Sequence, residues 1–263
     1  CFNVEGDGLK MNTFTICNRV HYYEINSQRR ASPVTVLNYF EEVAARQSEE
    51  SGYGLGKLMS RGLIWILTNW SIHMERYPGW MEEVFAETRV CSFERFYAFR
   101  EFKIRDKDKR IIGTADSRWI FYDLKRNRPV RVPPDIAAAF GVDMKQAAGS
   151  KFLEIEPAGS CEQNLEFRVR LSDIDMYRHV NNTRYVEWML EAVPVDIHRE
   201  YLPVKIEVAY KKETVYGSRV VSCAERIQRD DGGIEFLHKV TDKTTGAELA
   251  RAATQWKKVI SSV

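Results

Sequence analysis

The chain has 263 residues, of which 39 are Lys or Arg and 37 are Asp or Glu, so its formal net charge is +2. A hydrophobic fraction of 44% with 12% aromatic residues is enough for a buried core and excludes an intrinsically disordered chain. The nearly balanced charge argues against a general nucleic-acid or membrane binder, and the length fits one large domain or two small ones.

In the first half of the chain, one strand precedes a long helix and four strands follow it. Residues 14–23 are apolar enough for the opening strand. Ser32 and Pro33 supply an N-cap and a proline at the first helical position, and Gly52 fits the helix end. The apolar stripe of this helix comprises Val36, Leu37, Phe40, Val43, Ala44 and Gln47. Aromatic and branched residues predict strands over 63–73, 84–91, 96–104 and 112–122.

The order of elements then repeats. Prolines and glycines interrupt the chain, and we place a linker at 133–160, with a short helix at 136–140. Beyond it we predict a strand at 165–169, a helix at 182–193, and strands at 204–210, 219–228, 235–241 and 247–257. One helix followed by antiparallel strands, occurring twice, indicates an internal duplication and an α+β fold. We therefore expect an N-terminal domain at 1–132 and a C-terminal domain at 161–263.

Cysteine usage and hydropathy predict the compartment. The cysteines are odd in number and lack the spacing of metal ligands; they lie at positions 1, 17, 91, 161 and 223. The longest apolar run, at 63–67, is too short for a transmembrane helix, and no signal peptide is recognisable. We expect a cytoplasmic protein with free thiols and no membrane association.

One stretch before the second helix carries the candidate chemistry. Asp175 and His179 lie on an irregular loop, and Asn181 or Asn182 is a good N-cap for the helix that follows. Backbone N–H groups at a helix N-terminus are unpaired, so a carboxylate, an imidazole and amide donors would converge there. Acyl transfer needs these three parts, although a turn made by Asp173 and Asp175 would also account for the pattern.

The duplication predicts a single active site in the chain. Aligning the two helix starts places Ala31 opposite His179, and the first-half loop has no carboxylate–histidine pair. We therefore expect only the second copy of the loop to be reactive, and the first half to supply walls of the pocket.

Three motifs, in order, resemble those of the plant and bacterial acyl-ACP thioesterases. The first is the pattern Asp-x-Asp-x-x-x-His-Val-Asn-Asn-x-x-Tyr-x-x-Trp that begins at Asp173. The second is the segment 62–67 followed by 75–80, and the third is Ala-Tyr-Lys-Lys-Glu, which ends at Glu213. The resemblance runs from about residue 14 to residue 257. It departs from the family pattern at Tyr177, where the family usually has asparagine.

The resemblance implies a tandem, or double, hotdog fold, in which each half is an antiparallel sheet wrapped round a central helix. It also implies a thioesterase that releases fatty acid from acyl carrier protein, with Lys211 and Lys212 as first candidates for docking that partner. No glycine-rich phosphate loop, metal-ligand cluster or Gly-x-Ser-x-Gly elbow is present in the sequence, so hydrolysis without a cofactor or metal is expected. An acyl-CoA thioesterase, a hotdog hydratase or dehydratase and a non-catalytic acyl-binding protein remain alternatives, and a homodimer stays open.

Catalytic roles are predicted for four residues. Asp175 would act as the nucleophile or as the base on water, and His179 would hold Asp175 or the water in position. The resemblance adds Glu213 as the activator of water, and Tyr177 at the asparagine position. The phase of the strand at 204–210 opposes the role of Glu213, because it puts that side chain on the solvated face unless the strand ends or bulges first.

Substrate contacts are expected from both halves. The backbone amides at the start of the second helix, near Asn181 and Asn182, are the natural donors to an oxyanion. In the first half, an unusually aromatic strand is expected to hold the acyl chain through Leu63, Trp65 and Leu67.

Overall fold

The computed structural model describes residues 13–144, 152–161, 163–229 and 232–258. Cys1 and the linker residues 145–151 lie outside these ranges. The helices are α1 (Pro33–Glu50), α2 (Leu55–Ser60), α3 (Pro134–Ala139), α4 (Asn182–Glu191) and α5 (Val195–Glu200). The strands are β1 (Phe14–Arg19), β2 (Leu63–Met74), β3 (Glu83–Glu94), β4 (Tyr97–Asp106), β5 (Ile111–Asp123), β6 (Arg128–Pro129), β7 (Gln163–Arg168), β8 (Tyr201–Tyr210), β9 (Arg219–Gln228), β10 (Ile234–Asp242) and β11 (Glu248–Lys258). None of the helices in the described ranges is both long enough and apolar enough to cross a membrane.

The described residues form two compact units that interleave along the chain. The first unit comprises residues 13–19, 39–67 and 83–144, and the second comprises residues 20–38, 68–82 and the described residues from 152 to 258. The boundaries predicted from the sequence, 1–132, 133–160 and 161–263, follow the repeat of elements and stay a prediction.

The first unit is an antiparallel sheet with α1 packed on it. Its strands lie in the order β1, β3, β4, β5, β2, and β6 pairs with β5. Ser32 begins α1 as its N-cap, because its hydroxyl accepts the backbone N–H of Thr35 at 3.0 Å. From Tyr39 onwards the apolar stripe of the helix faces the sheet, where the rings of Phe40 and Phe102 lie 5.2 Å apart. Gly52, with φ of 75°, follows the helix end in the left-handed conformation that glycine tolerates.

The second unit repeats this plan. Its strands lie in the order β2, β8, β11, β10, β9, β7, with residues 69–73 of β2 paired to residues 205–209 of β8. Helix α4 buries its apolar side against β9 and β10, and the ring of Trp188 stacks on Phe167 of β7 at 6.0 Å. A helix packed on an antiparallel sheet, occurring twice, confirms the predicted α+β tandem hotdog fold.

Local differences from the expected elements have local causes. The opening strand stops at Arg19, and the last two residues of its predicted length, 14–23, belong to a 3-10 turn at Tyr22–Glu24. In the predicted linker, residues 152–161 are bound to the second sheet. Arg251 donates a hydrogen bond to the carbonyl oxygen of Ile155 at 2.8 Å, and Lys239 donates one to that of Ala158 at 3.1 Å.

The expectation that the cysteines are free thiols is wrong for two of them. Cys161 and Cys223 form a disulfide, with Cα atoms 5.5 Å apart and a sequence separation of 62 residues. Cys17 and Cys91 are free. The pairing arises because the end of the linker runs beside β9, a proximity that the spacing of cysteines along the chain does not encode.

Candidate functional site

The loop between β7 and α4 is held at its two ends by Asp173. This carboxylate is 1% exposed and accepts the backbone N–H of Arg170 at 2.7 Å. The Arg170 guanidinium pairs with the same carboxylate at 2.9 Å, and the carbonyl oxygen of Asp173 accepts the backbone N–H of Asn181 at 2.9 Å. Asp173 is thus the structural carboxylate of the motif, as the turn interpretation expected for it.

Asp175 lies at the centre of the loop and is only partly engaged in the turn. Its Oδ1 atom accepts backbone hydrogen bonds from Tyr177 at 2.8 Å and from His179 at 3.4 Å. The backbone N–H of Asp175 donates to the carbonyl oxygen of His179 at 2.8 Å, and Arg178 takes a left-handed φ of 67° to close the turn. The other carboxylate oxygen makes no hydrogen bond with the described residues, so one oxygen shapes the loop and the other is open to a ligand.

An imidazole–carboxylate contact between His179 and Glu213 joins the loop to the segment after β8. Nδ1 of His179 lies 3.0 Å from Oε2 of Glu213, and the two side chains are 36% and 65% exposed. The backbone N–H of Val180 donates to the carbonyl oxygen of Thr214 at 3.0 Å, which joins the segment carrying Glu213 to the loop. The structure therefore brings together the predicted histidine and the second predicted carboxylate.

The strand-phase objection to Glu213 does not apply, because β8 ends before it. Beyond the Tyr210–Ala250 pair, the backbone N–H groups of Lys211 and Lys212 both donate to the carbonyl oxygen of Leu249, at 2.8 and 3.0 Å. Two successive amides on one carbonyl break the alternation of faces, as a β-bulge does. The orientation of Glu213 is consequently set by the loop after β8.

Tyr177 joins the site through its backbone, as a donor to Asp175. Its side chain is half-buried, and burial raises the pKa of the hydroxyl, with a further increase from the charge of Asp175. The hydroxyl is therefore protonated at neutral pH and makes no hydrogen bond with the described residues. Tyr177 occupies the position where the family usually has asparagine, and a phenol cannot make the hydrogen bonds of a carboxamide.

The start of α4 offers one free amide. Asn181 is the N-cap, since its Oδ1 atom accepts the backbone N–H of Thr183 at 2.9 Å and the hydroxyl of the same residue at 2.7 Å. The backbone N–H of Arg184 donates to the carbonyl oxygen of Asn181 at 3.0 Å. Among the described residues, the N–H of Asn182 is the one amide of this first turn without an acceptor. Of the backbone amides expected to bind an oxyanion, it is therefore the remaining candidate.

Family models match the chain on both sides of the predicted linker. The acyl-ACP thioesterase N-terminal domain matches residues 11–140, and the acyl-ACP thioesterase C-terminal domain matches residues 158–258. The chain belongs to the acyl-ACP thioesterase family.

Two curated relatives of this thioesterase-family chain are plant proteins. A chloroplastic oleoyl-acyl carrier protein thioesterase of Coriandrum sativum is 24% identical over 278 residues, which cover 91% of the chain and 75% of that protein. A chloroplastic palmitoyl-acyl carrier protein thioesterase of Arabidopsis thaliana is 26% identical over 256 residues, which cover 90% of the chain. The chain spans only 62% of the length of the latter relative.

Solved structures confirm the thioesterase fold class. A 12:0-ACP thioesterase from Umbellularia californica superposes with a TM-score of 0.83 at 23% identity, covering 98% of this chain and 100% of that one. An acyl-ACP thioesterase from Bacteroides thetaiotaomicron superposes with a TM-score of 0.81 at 22% identity, covering 93% of this chain and 98% of that one. At this level of identity the likeness concerns the fold.

The loop before α1 of this thioesterase-family chain repeats the loop before α4, with Asn26 in the place of Asp175. Oδ1 of Asn26 accepts backbone hydrogen bonds from the second and fourth residues after it, at 3.0 and 3.2 Å. The backbone N–H of Asn26 donates to the carbonyl oxygen of Arg30 at 2.8 Å, the bond that joins Asp175 to His179 in the other loop. Arg30 therefore stands opposite His179, and the alignment that put Ala31 there is wrong by one residue.

The loop before α1 has the geometry of the loop before α4 but lacks its carboxylate–histidine pair. A carboxamide and a guanidinium do not act as nucleophile or base at neutral pH, because the nitrogen lone pair of the amide is delocalised and the guanidinium stays protonated. Sequence reasoning did not identify the open cavity of about 490 Å³ beside this loop, which is lined by Tyr22, Ile25, Asn26, Ser27, Arg29 and Trp80.

The predicted acyl-chain residues lie in the core of the first unit. The ring of Trp65 is 4.6 Å from Phe121 and 6.0 Å from Phe93, and Leu67 is 2% exposed. Leu63 is partly buried and packs against the same aromatic cluster. Their burial and apolar character suit an acyl chain equally well as they suit a core, so the substrate-binding role stays a prediction.

Tyr185 was not among the predicted site residues, although it belongs to the motif. Its position on the apolar stripe of α4 indicated a core residue. A buried tyrosine hydroxyl needs a hydrogen-bond partner. A tyrosine on the apolar stripe of the helix was therefore the feature of the sequence that could have identified this residue.

Proposed function

We propose that this chain hydrolyses the thioester of acyl-acyl carrier protein and releases a free fatty acid, with Asp175, His179 and Glu213 as its reactive side chains. The observation that carries the proposal is the 3.0 Å approach of Glu213 to His179, beside the Asp175 turn and before the α4 N-terminus. Family membership and the names of the relatives support the choice of substrate. Among the described residues, no group of His, Cys, Asp or Glu is arranged to bind a metal ion.

Each part of the reaction has a candidate group. Glu213 accepts a hydrogen bond from Nδ1 of His179, which leaves Nε2 of that ring to take a proton from water. The water oxygen then bonds to the thioester carbon while the N–H of Asn182 stabilises the oxyanion. As the carbon–sulfur bond breaks, the imidazolium returns the proton to the thiolate. In this scheme the free oxygen of Asp175 orients the water.

Asp175 could instead attack the thioester carbon itself and form an acyl anhydride that water later hydrolyses. A single turnover in H₂¹⁸O distinguishes the two routes. Water attack on the substrate puts the label in the fatty acid during the first turnover. Attack by Asp175 followed by hydrolysis at the protein carboxyl carbon puts it in the side chain of Asp175, where peptide mass spectrometry finds it.

The function is tested by measuring thiol release from acyl-ACP and acyl-CoA side by side. We expect a higher kcat/KM on acyl-ACP, and the reverse preference would favour the acyl-CoA thioesterase alternative. Asp175→Asn and His179→Ala should each reduce kcat by about 10² or more, and the double variant should add little, because groups acting as a unit are not additive. The matched control is Arg30→Ala in the unreactive copy of the loop, which should retain near-normal kcat.

The same proposal gives the two halves of the chain different roles. We assign acyl-chain binding to the N-terminal domain at 1–132, through Leu63, Trp65 and Leu67, and hydrolysis to the C-terminal domain at 161–263. A bulkier residue in place of Leu67 should shorten the preferred acyl chain, since each excluded methylene is worth about 0.8 kcal/mol. A product spectrum that does not change would place the acyl pocket elsewhere. A cytoplasmic location and a homodimer stay predictions.

A further inference from the structure

Tyr185 lies under the reactive loop, on the buried side of α4. It is 2% exposed, and its ring makes edge contacts with Trp188 at 5.5 Å and with Tyr210 at 5.9 Å. Side chains on a helix lean toward its N-terminus, so the phenol of Tyr185 covers the turn that begins at Asn181. The contact with Tyr210, whose hydroxyl bonds to Asn182, also places the ring beside the start of α4.

The O–H of Tyr185 has no acceptor among the described residues. Its neighbour Tyr210 differs, because that hydroxyl donates to the carbonyl oxygen of Asn182 at 3.1 Å. A buried polar group without a partner is unfavourable, and folded proteins contain few of them. Of these two adjacent tyrosines, only Tyr210 has an acceptor for its O–H among the described residues.

The carboxylates of the site act on this hydroxyl through their charge. Burial raises the pKa of the Tyr185 hydroxyl, and the charges of Glu213 and Asp175 raise it further, while the backbone amide of Thr214 acts in the other direction. That amide is a donor, so it can serve only the oxygen of the phenol and leaves the O–H without an acceptor. The backbone hydrogen bond from Val180 to Thr214 holds the segment carrying Glu213 close by.

We propose that Tyr185 is a positioning residue of the hydrolytic site, whose hydroxyl donates a hydrogen bond to the Glu213 carboxylate when acyl-ACP is bound. The inference rests on the proposed function. In the free protein the side chain of Glu213 is 65% exposed, and water solvates its charge. Bound substrate displaces this water. The hydrogen bond from the Tyr185 hydroxyl then stabilises the charge of the Glu213 carboxylate and holds it beside His179.

The test compares two tyrosine-to-phenylalanine variants. Tyr185→Phe removes an O–H that has no acceptor among the described residues, so the urea midpoint should stay the same or rise. Its kcat on acyl-ACP should fall about tenfold or more with KM within about twofold, and the acidic limb of the kcat–pH profile should move up by about half a pH unit or more. Tyr210→Phe, the matched control, loses the bond to Asn182, so its midpoint should fall while the acidic limb stays in place.

Two results would overturn the inference. One is a Tyr185→Phe enzyme with normal kcat and an unmoved acidic limb. The other is a lower urea midpoint for Tyr185→Phe with an unmoved limb, the behaviour of an ordinary structural hydrogen bond. Asp175→Asn, assayed in parallel, distinguishes failure of the proposed function from failure of the inference about Tyr185. If Asp175→Asn still turns over, the proposed site is wrong, and so is the role of Tyr185. If only Asp175→Asn is impaired, the site stands and the inference about Tyr185 fails alone.

Discussion

His238 makes the stability of the protein depend on pH in a way that can be worked out from the structure. It lies on β10 with no exposed surface, and its Nε2 atom is 2.8 Å from the hydroxyl of Thr254. Burial lowers its pKa to about 3, and the backbone of Met189 opposes this only in part. In the unfolded chain the same imidazole has its ordinary pKa of about 6.5.

The sign and size of the effect follow from these two values. Above pH 6.5 the histidine is neutral in both states and contributes no pH dependence. Between pH 6.5 and 3 the unfolded chain binds a proton that the native state refuses, so stability falls as the pH falls, by about 1.4 kcal/mol per pH unit. At pH 5.0 the loss from His238 should therefore be about 2 kcal/mol.

Urea unfolding at pH 7.5 and pH 5.0, followed by tryptophan fluorescence, measures this loss. The comparison variant is His238→Gln, whose carboxamide can still bond to Thr254 but does not titrate in this range. Other groups change equally in both proteins, so the wild type should lose about 2 kcal/mol more than the variant between the two pH values. Identical pH dependence in the two proteins would refute the argument, because it would mean that the native state accommodates the imidazolium.

Three further predictions concern the site, its partner and the disulfide. Glu213→Gln should cost less than about 1 kcal/mol of stability, because the pair it breaks is exposed, yet reduce kcat by about 10²; near-normal turnover would make Glu213 a surface residue. Lys211→Glu with Lys212→Glu should raise KM for acyl-ACP and weaken its salt dependence, leaving short acyl-thiol substrates unaffected, and equal effects on both substrates would remove the electrostatic argument. Cys161→Ser should lower stability by about 4 kcal/mol under oxidising conditions, the loop-closure value for a separation of 62 residues. No difference between this variant and wild type in urea would mean that Cys161 and Cys223 are not joined in solution.

Much of the fold could be predicted because its signals are local. The stripe on α1, the N-cap at Ser32 and the strand over 219–228 depend on residues within one or two turns, and the observed elements follow them closely. The site could be predicted in part for the same reason. Asp175 and His179 sit four residues apart on one loop, and backbone bonds within that loop hold them together.

What the sequence by itself determined is the repeat of one helix and a run of strands, the hotdog fold and the loop that carries the motif, because periodicity, capping and spacing act over a few residues. Only the tertiary structure decided the rest. Glu213 reaches His179 because two backbone amides after β8 donate to the carbonyl oxygen of Leu249. Cys161 bonds to Cys223 because the end of the linker runs beside β9. The O–H of Tyr185 is left without an acceptor among the described residues for a similar reason. Each of these outcomes depends on atoms far apart along the chain, whose distances are set by strand register and packing.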